Sequence, residues 1–320
     1  MRGAVRILSW LVAVLAVAGV AAGFAAWRAA TAPGPLAEER ALVIPRGGTA
    51  AIAAHLESEG VVADARLFTA AAVLTRAEGP LRAAEFAFPA GASMLQVLEV
   101  LRRARPVQHR LTIPEGLTAG QIEALLAATD TLAGDVPRFE EGSLLPETYA
   151  FTRGDSRAAI VRRAAAAMEE ALAEIWAARA PGLPFDTPRE AVILASIIER
   201  ETGVADERDL VAGVFVNRLR RGMMLQSDPT TAYRADSRMP LDRPLTRADL
   251  AEEHPYNTYR IRGLPPGPIA APGRASLRAA VRPAETEYIF FVADGTGGHA
   301  FARTLADHNR NVARWRALNR

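Results

Sequence analysis

The segment TPREAVILASIIERETG, residues 187–203, contains signals for both ends of a buried helix. Thr187 is a favourable N-cap, Pro188 suits the first helical position, and Gly203 is a typical C-cap residue. Residues 191–198 are apolar on almost every face, which predicts a helix surrounded by other elements of its domain. We therefore expect a core helix that carries two glutamates in its last turn.

These two glutamates are the candidate acids of the sequence. On a 3.6-residue period Glu201 shares a face with Leu194 and Ile198, and Glu199 lies on a different face. Apolar surroundings and the negative end of the helix dipole both disfavour a carboxylate, so we expect a raised pKa for Glu201. A glutamic acid protonated near neutral pH suits general acid catalysis of glycosidic-bond cleavage. The residues alone leave open that both glutamates are exposed and paired with neighbouring arginines.

A polar segment, LQSDPTTAY at 225–233, follows a second predicted helix that is capped by Asp206. It is short of helix formers, and we predict a loop. Gln226, Asp228 and Thr230 are candidates for hydrogen bonds to sugar hydroxyls. A structural Asx turn before the proline is the alternative that the residues leave open.

The segment PYNTYRIRGLPPGPI, residues 255–269, is predicted to be irregular and ordered. A long loop in a compact domain is usually functional or disordered, and the prolines here restrict the backbone. Aromatic faces beside amide and hydroxyl groups suit carbohydrate recognition. The candidate substrate contacts in this segment are Tyr256, Asn257, Thr258 and Tyr259.

A small α+β module is predicted upstream. Strands at 41–45 and 86–89 flank two helices, of which the first begins with a threonine cap at Thr49 and the second lies around 64–75. Ser93 caps a further helix. This strand–helix–helix–strand order resembles a LysM-like glycan-binding module, and any other small α+β module has the same order.

The N-terminus contains a nearly unbroken apolar run from Ile7 to Trp27. As a helix it spans about 30 Å, the thickness of the hydrocarbon core of a bilayer. Arg2 and Arg6 precede the run, so the positive-inside rule predicts a cytoplasmic N-terminus and places the rest of the chain outside. A cleaved signal peptide is the rival interpretation, but its apolar region is usually about 7–15 residues. We expect an uncleaved, single-pass anchor.

Composition excludes several function classes. The net charge is only +2 and the basic residues are interleaved with acidic ones, which argues against nucleic-acid binding. The chain has no cysteine, so disulfides, thiolate metal sites and cysteine nucleophiles are excluded. His299 and His308 are too far apart in the sequence, and have too few partners, to indicate a metal site, and we predict no metal site and no cofactor. A buried strand is predicted at 288–292.

Several of these segments together resemble the endolytic murein transglycosylase family, also called the MltG or YceG-like family. The matching pieces are the N-terminal anchor, LLPETYAFTRG at 144–154, ASIIERETGVADERDLVAGVFVNRLRRGMMLQSDPTTAY at 195–233, PYNTYRIRGLPPGPIAAPG at 255–273 and HAFARTLADHN at 299–309. The chain departs from the family pattern at Ala271, where we expect asparagine, and at Asp307, where we expect glutamate.

The resemblance implies cleavage of the β-1,4 bond between N-acetylmuramic acid and N-acetylglucosamine within peptidoglycan strands. The muramic acid C6 hydroxyl attacks in place of water and leaves a 1,6-anhydro end. Carried over by motif, Glu201 is the catalytic residue, acting as acid and then as base, and Glu147 in the first motif is a further candidate substrate contact. The resemblance also implies that nascent strands are ended beside penicillin-binding synthases, with the catalytic domain on the periplasmic side of a bacterial inner membrane.

The fold class that we predict is α+β: a transmembrane helix, a small LysM-like module and a larger, helix-rich catalytic domain. The predicted segments are a cytoplasmic tip and anchor (1–31), a linker (32–40), the LysM-like module (41–106), a connecting strand–helix unit (107–142) and the catalytic domain (143–320). Two alternatives to the transglycosylase are a hydrolytic muramidase, which leaves reducing ends, and a non-catalytic glycan-binding envelope protein.

Overall fold

A computed structural model describes residues 2–318 of the chain. The chain divides into two compact units at the boundary between His109 and Arg110. Both units combine helices with two-stranded sheets, so the expectation of a mixed helix-and-sheet protein is confirmed.

The N-terminal helix, α1 (Arg2–Thr31), includes a stretch at Ser9–Thr31 that is long and apolar enough to cross a membrane. Large apolar side chains along it, such as Trp10 and Trp27, are exposed. The helix continues beyond the end of the apolar run at Trp27 because the alanines that follow favour helix. Its length and composition fit a single-pass membrane anchor.

The rest of the first unit has the predicted strand–helix–helix–strand order. Its elements are β1 (Arg40–Val43), α2 (Thr49–Ser58), α3 (Ala65–Leu74), β2 (Glu85–Phe88) and α4 (Met94–Arg103). The two strands are antiparallel, with Arg40 opposite Phe88. The prediction of a threonine cap on α2 was wrong, because Thr49 is the first helical residue and Gly48 is the N-cap.

The second unit contains the remaining elements, with β3 starting at the boundary residue. They are β3 (His109–Thr112), α5 (Ala119–Ala127), β4 (Thr148–Phe151), α6 (Arg157–Ala177), α7 (Pro188–Glu201), α8 (Arg208–Arg220), α9 (Asp228–Ala232), β5 (Tyr233–Arg234), β6 (Met239–Pro240), α10 (Arg247–Ala251), α11 (Arg274–Val281), β7 (Phe290–Ala293), β8 (His299–Ala302) and α12 (Leu305–Leu318). β3 pairs with β4, and β7 forms an antiparallel hairpin with β8.

The predicted core helix is α7. Thr187 and Glu190 form a reciprocal capping box at its start, and every residue from 191 to 198 is buried. It packs against α6, α8 and α11. The predicted glycine cap was wrong, because Thr202 adopts an extended conformation and ends the helix one residue before Gly203. Glu201 is therefore the last helical residue, at the edge of the core.

Three further local predictions were wrong. The start of α8 is a 3₁₀ turn at Ala205–Glu207, and no side chain caps the helix, so Asp206 does not have the expected role. The segment 225–233 contains the short helix α9 in place of a continuous loop. The predicted buried strand is β7, which is only half-buried. The segment from Glu252 to Gly273 contains no helix or strand, and it includes the irregular segment predicted at 255–269.

Candidate active site

A cavity of about 420 Å³ lies at the C-terminal end of α7. It is bounded by α8, by the segment that leads into α9, and by the β7–β8 hairpin. The residues that line it are Glu201, Arg218, Leu225, Gln226, Asp228, Tyr259, Phe291, Val292, Ala293, His299 and His308. Four of these were not predicted as site residues from the sequence but carry polar or aromatic groups: Arg218, Phe291, His299 and His308.

Glu201 is half-buried in this cavity. Ser227 Oγ donates a hydrogen bond to its Oε1 at 2.5 Å. Burial raises the pKa of Glu201 to about 7; the Ser227 hydrogen bond opposes this rise, and the nearby charge of Asp228 adds to it. His299 and Arg218 lower the pKa of Glu201 by smaller amounts. The carboxyl group can therefore carry a proton near neutral pH, as a general acid requires.

The segment that carries Ser227 is fixed by the 255–259 segment. Ser227 N–H donates to Thr258 Oγ1 at 2.9 Å, and Gln226 N–H donates to the Thr258 carbonyl at 3.1 Å. Thr230 Oγ1 donates to the Ser227 carbonyl at 2.7 Å. Gln226 has a positive φ of 53°, a conformation that non-glycine residues rarely adopt. These bonds hold the strained residue and the Ser227 hydroxyl beside Glu201.

Three of the predicted substrate contacts belong to this supporting framework. Thr230, Asn257 and Thr258 are at most 1% exposed, and none of them lines the cavity. Asn257 donates to the carbonyls of Asp249 and Glu252, at 3.1 and 2.7 Å. Their polar groups are used within the protein, and they position the segments that do line the cavity.

Asp228 and Tyr259 do reach the cavity. The Tyr259 hydroxyl donates a hydrogen bond of 2.6 Å to Asp228 Oδ1. Burial, together with the negative charge of Asp228, raises the pKa of Tyr259 above its ordinary value, so the hydroxyl keeps its proton. Gln226 is exposed at the cavity wall. These three predicted residues lie together with Glu201.

Arg218 closes one side of the cavity from α8. Its Nε donates to the Ile289 carbonyl at 2.7 Å and its Nη1 donates to the Leu225 carbonyl at 2.8 Å, and the guanidinium lies 5.3 Å from the centre of the Phe290 ring. Burial lowers its pKa, although an arginine remains charged under any ordinary condition. This buried cation ties the β7 strand to the segment that precedes Ser227.

His299 begins β8 and is bonded twice to Glu207. The imidazole Nδ1 lies 2.7 Å from Glu207 Oε2, and the His299 backbone N–H donates to Glu207 Oε1 at 2.9 Å. His308 from α12 stacks on Phe290, with the ring centres 5.1 Å apart, and burial lowers its pKa. The two histidines, which are too far apart in the sequence to predict a shared site, thus line one cavity. Within residues 2–318 no group of three or more side chains has the arrangement of a metal site.

The remaining predicted residues lie elsewhere. Glu199 accepts a hydrogen bond from the Gly273 backbone N–H at 2.9 Å and does not line the cavity. Glu147 is exposed and pairs with Arg274 at 2.9 Å. Tyr256 lines a second cavity, of about 500 Å³. The two tyrosines of the predicted sugar-binding segment therefore face different cavities.

Comparison with known proteins identifies relatives of the chain. The model of the YceG-like family matches residues 42–314. An endolytic murein transglycosylase of Bacillus subtilis (strain 168) is 36% identical over 170 residues, which cover 53% of this chain and 46% of the relative. An endolytic murein transglycosylase of Streptococcus pneumoniae is 31% identical over 250 residues, which cover 65% of this chain and 45% of the relative. The chain spans about half the length of these curated relatives.

A solved structure is also similar. A YceG-like protein of Listeria monocytogenes is 27% identical, with a TM-score of 0.53, and the match covers 86% of this chain and 99% of that one. The likeness therefore extends beyond the cavity to most of the described chain.

Proposed function

Because this chain belongs to the YceG-like family, we propose that it is an endolytic murein transglycosylase with Glu201 as its acid and base. The observation that carries the proposal is the position of Glu201: a half-buried carboxyl with a pKa raised to about 7, at the wall of a polar cavity. The names of the curated relatives supply the substrate class, peptidoglycan strands.

The proposed reaction breaks the bond between C1 of N-acetylmuramic acid and the oxygen at C4 of N-acetylglucosamine. Glu201 donates its proton to the leaving oxygen. The C6 hydroxyl of the same muramic acid then bonds to C1, and its proton returns to the Glu201 carboxylate. The products are a new C4 hydroxyl and a 1,6-anhydro end, and no water is consumed. A single carboxyl group that changes between acid and base is sufficient for this route.

Asp228 favours one alternative, a hydrolytic muramidase. Ordinary glycosidases use two carboxyl groups, and Asp228 lines the same cavity as Glu201. One of its oxygens already accepts the Tyr259 hydroxyl, which makes it a weaker base or nucleophile. Water would then attack C1, and the new ends would be reducing.

We assign α1 as an uncleaved anchor in a bacterial inner membrane, with the arginines before it in the cytoplasm and the catalytic domain in the periplasm. Residues 41–106 form the LysM-like module and 143–320 the catalytic domain, and the boundary between compact units at His109 lies close to the first of these limits. Penicillin-binding synthases are the proposed partners in the termination of nascent strands.

The test is mass spectrometry of purified peptidoglycan after digestion by the full chain in detergent micelles. Wild type is compared with Glu201→Gln and with the control Glu199→Gln, because Glu199 lies on another face of the same helix. We expect anhydro ends from wild type and from the control and none from Glu201→Gln. Reducing ends would support the muramidase, and the absence of products from all three proteins would support a non-catalytic glycan-binding role.

A further inference from the structure

We propose that Nε2 of His299 holds the C6 hydroxyl of the muramic acid against C1, and so decides that this hydroxyl attacks in place of water. The inference deepens the proposed function and rests on it. It starts from a pair of residues, Glu207 and His299, that are 92 positions apart in sequence and meet at the wall of the cavity.

Glu207 fixes the position of His299 in two ways. One carboxylate oxygen accepts the His299 backbone N–H at 2.9 Å, and the other lies 2.7 Å from Nδ1. Gly298 allows this approach, because a Cβ at that position would lie 2.6 Å from Glu207 Oε1. The two side chains are only 15% and 18% exposed. The ring is further confined by Phe291, at a centre-to-centre distance of 5.3 Å with perpendicular planes.

The carboxylate also determines which ring nitrogen carries the proton. An ionised carboxylate only accepts hydrogen bonds, so the proton of a neutral His299 lies on Nδ1 and points to Glu207. Nε2 then presents a lone pair. No residue between 2 and 318 hydrogen-bonds to Nε2, while the residue lines the cavity. The lone pair is therefore available to a hydroxyl group of a ligand.

The stereochemistry of the reaction selects which hydroxyl this is. The leaving oxygen of a β-glycoside and the C6 oxygen of a 1,6-anhydro product bond to the same face of the sugar ring. The group that holds the C6 oxygen must therefore lie near the acid that protonates the leaving oxygen. His299 meets this condition, because it lines the same cavity as Glu201.

The other polar groups of the cavity fit this role less well. The Arg218 guanidinium has no acceptor atom. Asp228 accepts the Tyr259 hydroxyl at 2.6 Å, and Gln226 Oε1 lies 3.3 Å from Arg218 Nη1. Nδ1 of His308 is fully buried and has no hydrogen-bond partner in the described part of the chain, so it does not face a ligand. Asp228 is the strongest competitor because a carboxylate has further lone pairs.

His299 does not change the proton balance of the reaction. Glu201 gives its proton to the leaving oxygen as the C1–O4 bond breaks, and the C1–O6 bond forms. The C6 hydroxyl points its proton at His299 Nε2 until the C1–O4 bond breaks. As the C1–O6 bond forms, the O–H bond turns about the C6–O6 axis and the proton passes to the Glu201 carboxylate. The hydrogen bond to His299 Nε2 restricts the rotation of the C6 group, so that O6 lies within reach of C1 when the bond breaks. Orientation of this kind gives an intramolecular nucleophile its advantage over water.

The experiment measures the ratio of anhydro to reducing ends produced from peptidoglycan by the full chain in detergent. In His299→Ala we expect the rate of anhydro-end formation to fall about tenfold or more and the share of reducing ends to rise. Glu207→Gln, which keeps the imidazole but loses the carboxylate, is expected to shift the ratio in the same direction by less. The matched control is His109→Ala, which breaks a histidine–glutamate pair with Glu85 at 2.5 Å in the other unit and should leave the ratio unchanged.

Each other outcome has a defined meaning. A merely structural role of His299 would lower both products together, and an unchanged ratio in both His299→Ala and Glu207→Gln would overturn the inference while the proposed function stands. If Asp228→Asn alone raised the share of reducing ends, the inference would also be overturned and Asp228 would hold the hydroxyl. If the wild type released no anhydro ends, the proposed function itself would fail. Should His299→Ala not fold by thermal melting, Glu207→Gln decides the question.

Discussion

The second unit contains two glutamates whose pKa values burial raises to about 7, Glu201 and Glu141, and their surroundings differ. Glu201 accepts one side-chain hydrogen bond, from Ser227, and lies at the wall of the 420 Å³ cavity. Glu141 lies at the wall of the 500 Å³ cavity. Both of its oxygens accept the Ala119 N–H, at 2.8 and 3.0 Å, and one also accepts the Tyr233 hydroxyl at 3.0 Å.

The difference between them shows that a raised pKa by itself reports burial and does not identify a catalytic acid. The Ala119 N–H belongs to the first turn of α5, so Glu141 ties the start of that helix to Tyr233. These hydrogen bonds give Glu141 a structural role. Glu201 has fewer fixed bonds and shares its cavity with Asp228 and His299. What separates the two glutamates is the number of oxygen lone pairs left for a ligand.

The largest expected effect is on Glu201. Glu201→Gln removes the proton that is given to the leaving oxygen, so we expect a loss of turnover of about 10³-fold, in the range of a general acid. The fold should persist, since glutamine can accept the Ser227 hydroxyl in the same place. The rate of anhydro-end formation and a thermal melt are the two measurements.

Glu199→Gln is the control for this change, because it alters the same helix turn on another face. We expect it to keep turnover within a few-fold of wild type. If both variants lost activity equally, or if Glu201→Gln unfolded, Glu201 would be structural in the way that Glu141 is, and the contrast between the two would disappear.

Ser227→Ala is expected to have the second-largest effect. The hydroxyl donates to Glu201 and favours its charged form, so its removal raises the pKa of Glu201. The alkaline limb of the pH–rate profile should therefore move to higher pH. We expect kcat to fall by roughly tenfold, because the carboxyl group loses its fixed orientation. A profile that moved to lower pH, or did not move, would contradict the role assigned to Ser227.

The sequence predicts α7 and its glutamates well because the relevant signals are local. Thr187, Pro188 and Glu190 specify the start of the helix, and the apolar run from 191 to 198 specifies a buried environment. The raised pKa of Glu201 follows from this environment, so the prediction was confirmed. The end of the helix was harder to predict because Thr202 and Gly203 are both compatible with a stop signal.

The rest of the cavity depends on contacts that no local pattern encodes. Thr230 and Thr258 hydrogen-bond to each other across 28 positions, and their burial separates them from the cavity although their chemistry suits sugar binding. His299 and Glu207 meet only when the β7–β8 hairpin packs near the start of α8. No local pattern singles out Glu207, because an acidic residue at the start of a helix is common, and only the structure shows that its side chain does not cap α8.

The two tyrosines of the 255–259 segment extend the comparison between the cavities. Tyr259 donates to Asp228 beside Glu201, whereas Tyr256 lies against Tyr233 near Glu141, with ring centres 5.0 Å apart. We expect Tyr259→Phe to lower kcat/KM roughly five-fold, since the Asp228 carboxylate beside Glu201 loses the hydrogen bond from the Tyr259 hydroxyl. Tyr256→Phe should change it by less than about two-fold. Equal losses would indicate that the substrate occupies both cavities.

Glu141→Gln is expected to have the smallest effect on turnover, within about two-fold, but it should change the dependence of stability on pH. The pKa of Glu141 is about 7 in the folded state and 4.5 when exposed, so the folded chain binds more protons between these values. Wild-type stability should therefore fall as pH rises from about 4.5 to 7. The Gln variant lacks this contribution.

The measurement for Glu141 is the melting temperature of the full chain in detergent at pH 5 and pH 8, with Glu201→Gln in parallel. Relative to wild type, Glu141→Gln should gain stability on going to pH 8 by about 1–3 kcal/mol. Glu201→Gln should show a gain of the same sign, because burial raises the pKa of both groups. Since the two variants share this stability response but only one loses turnover, the pair separates burial from catalysis. If Glu141→Gln also lost turnover, the second cavity would be part of the active site.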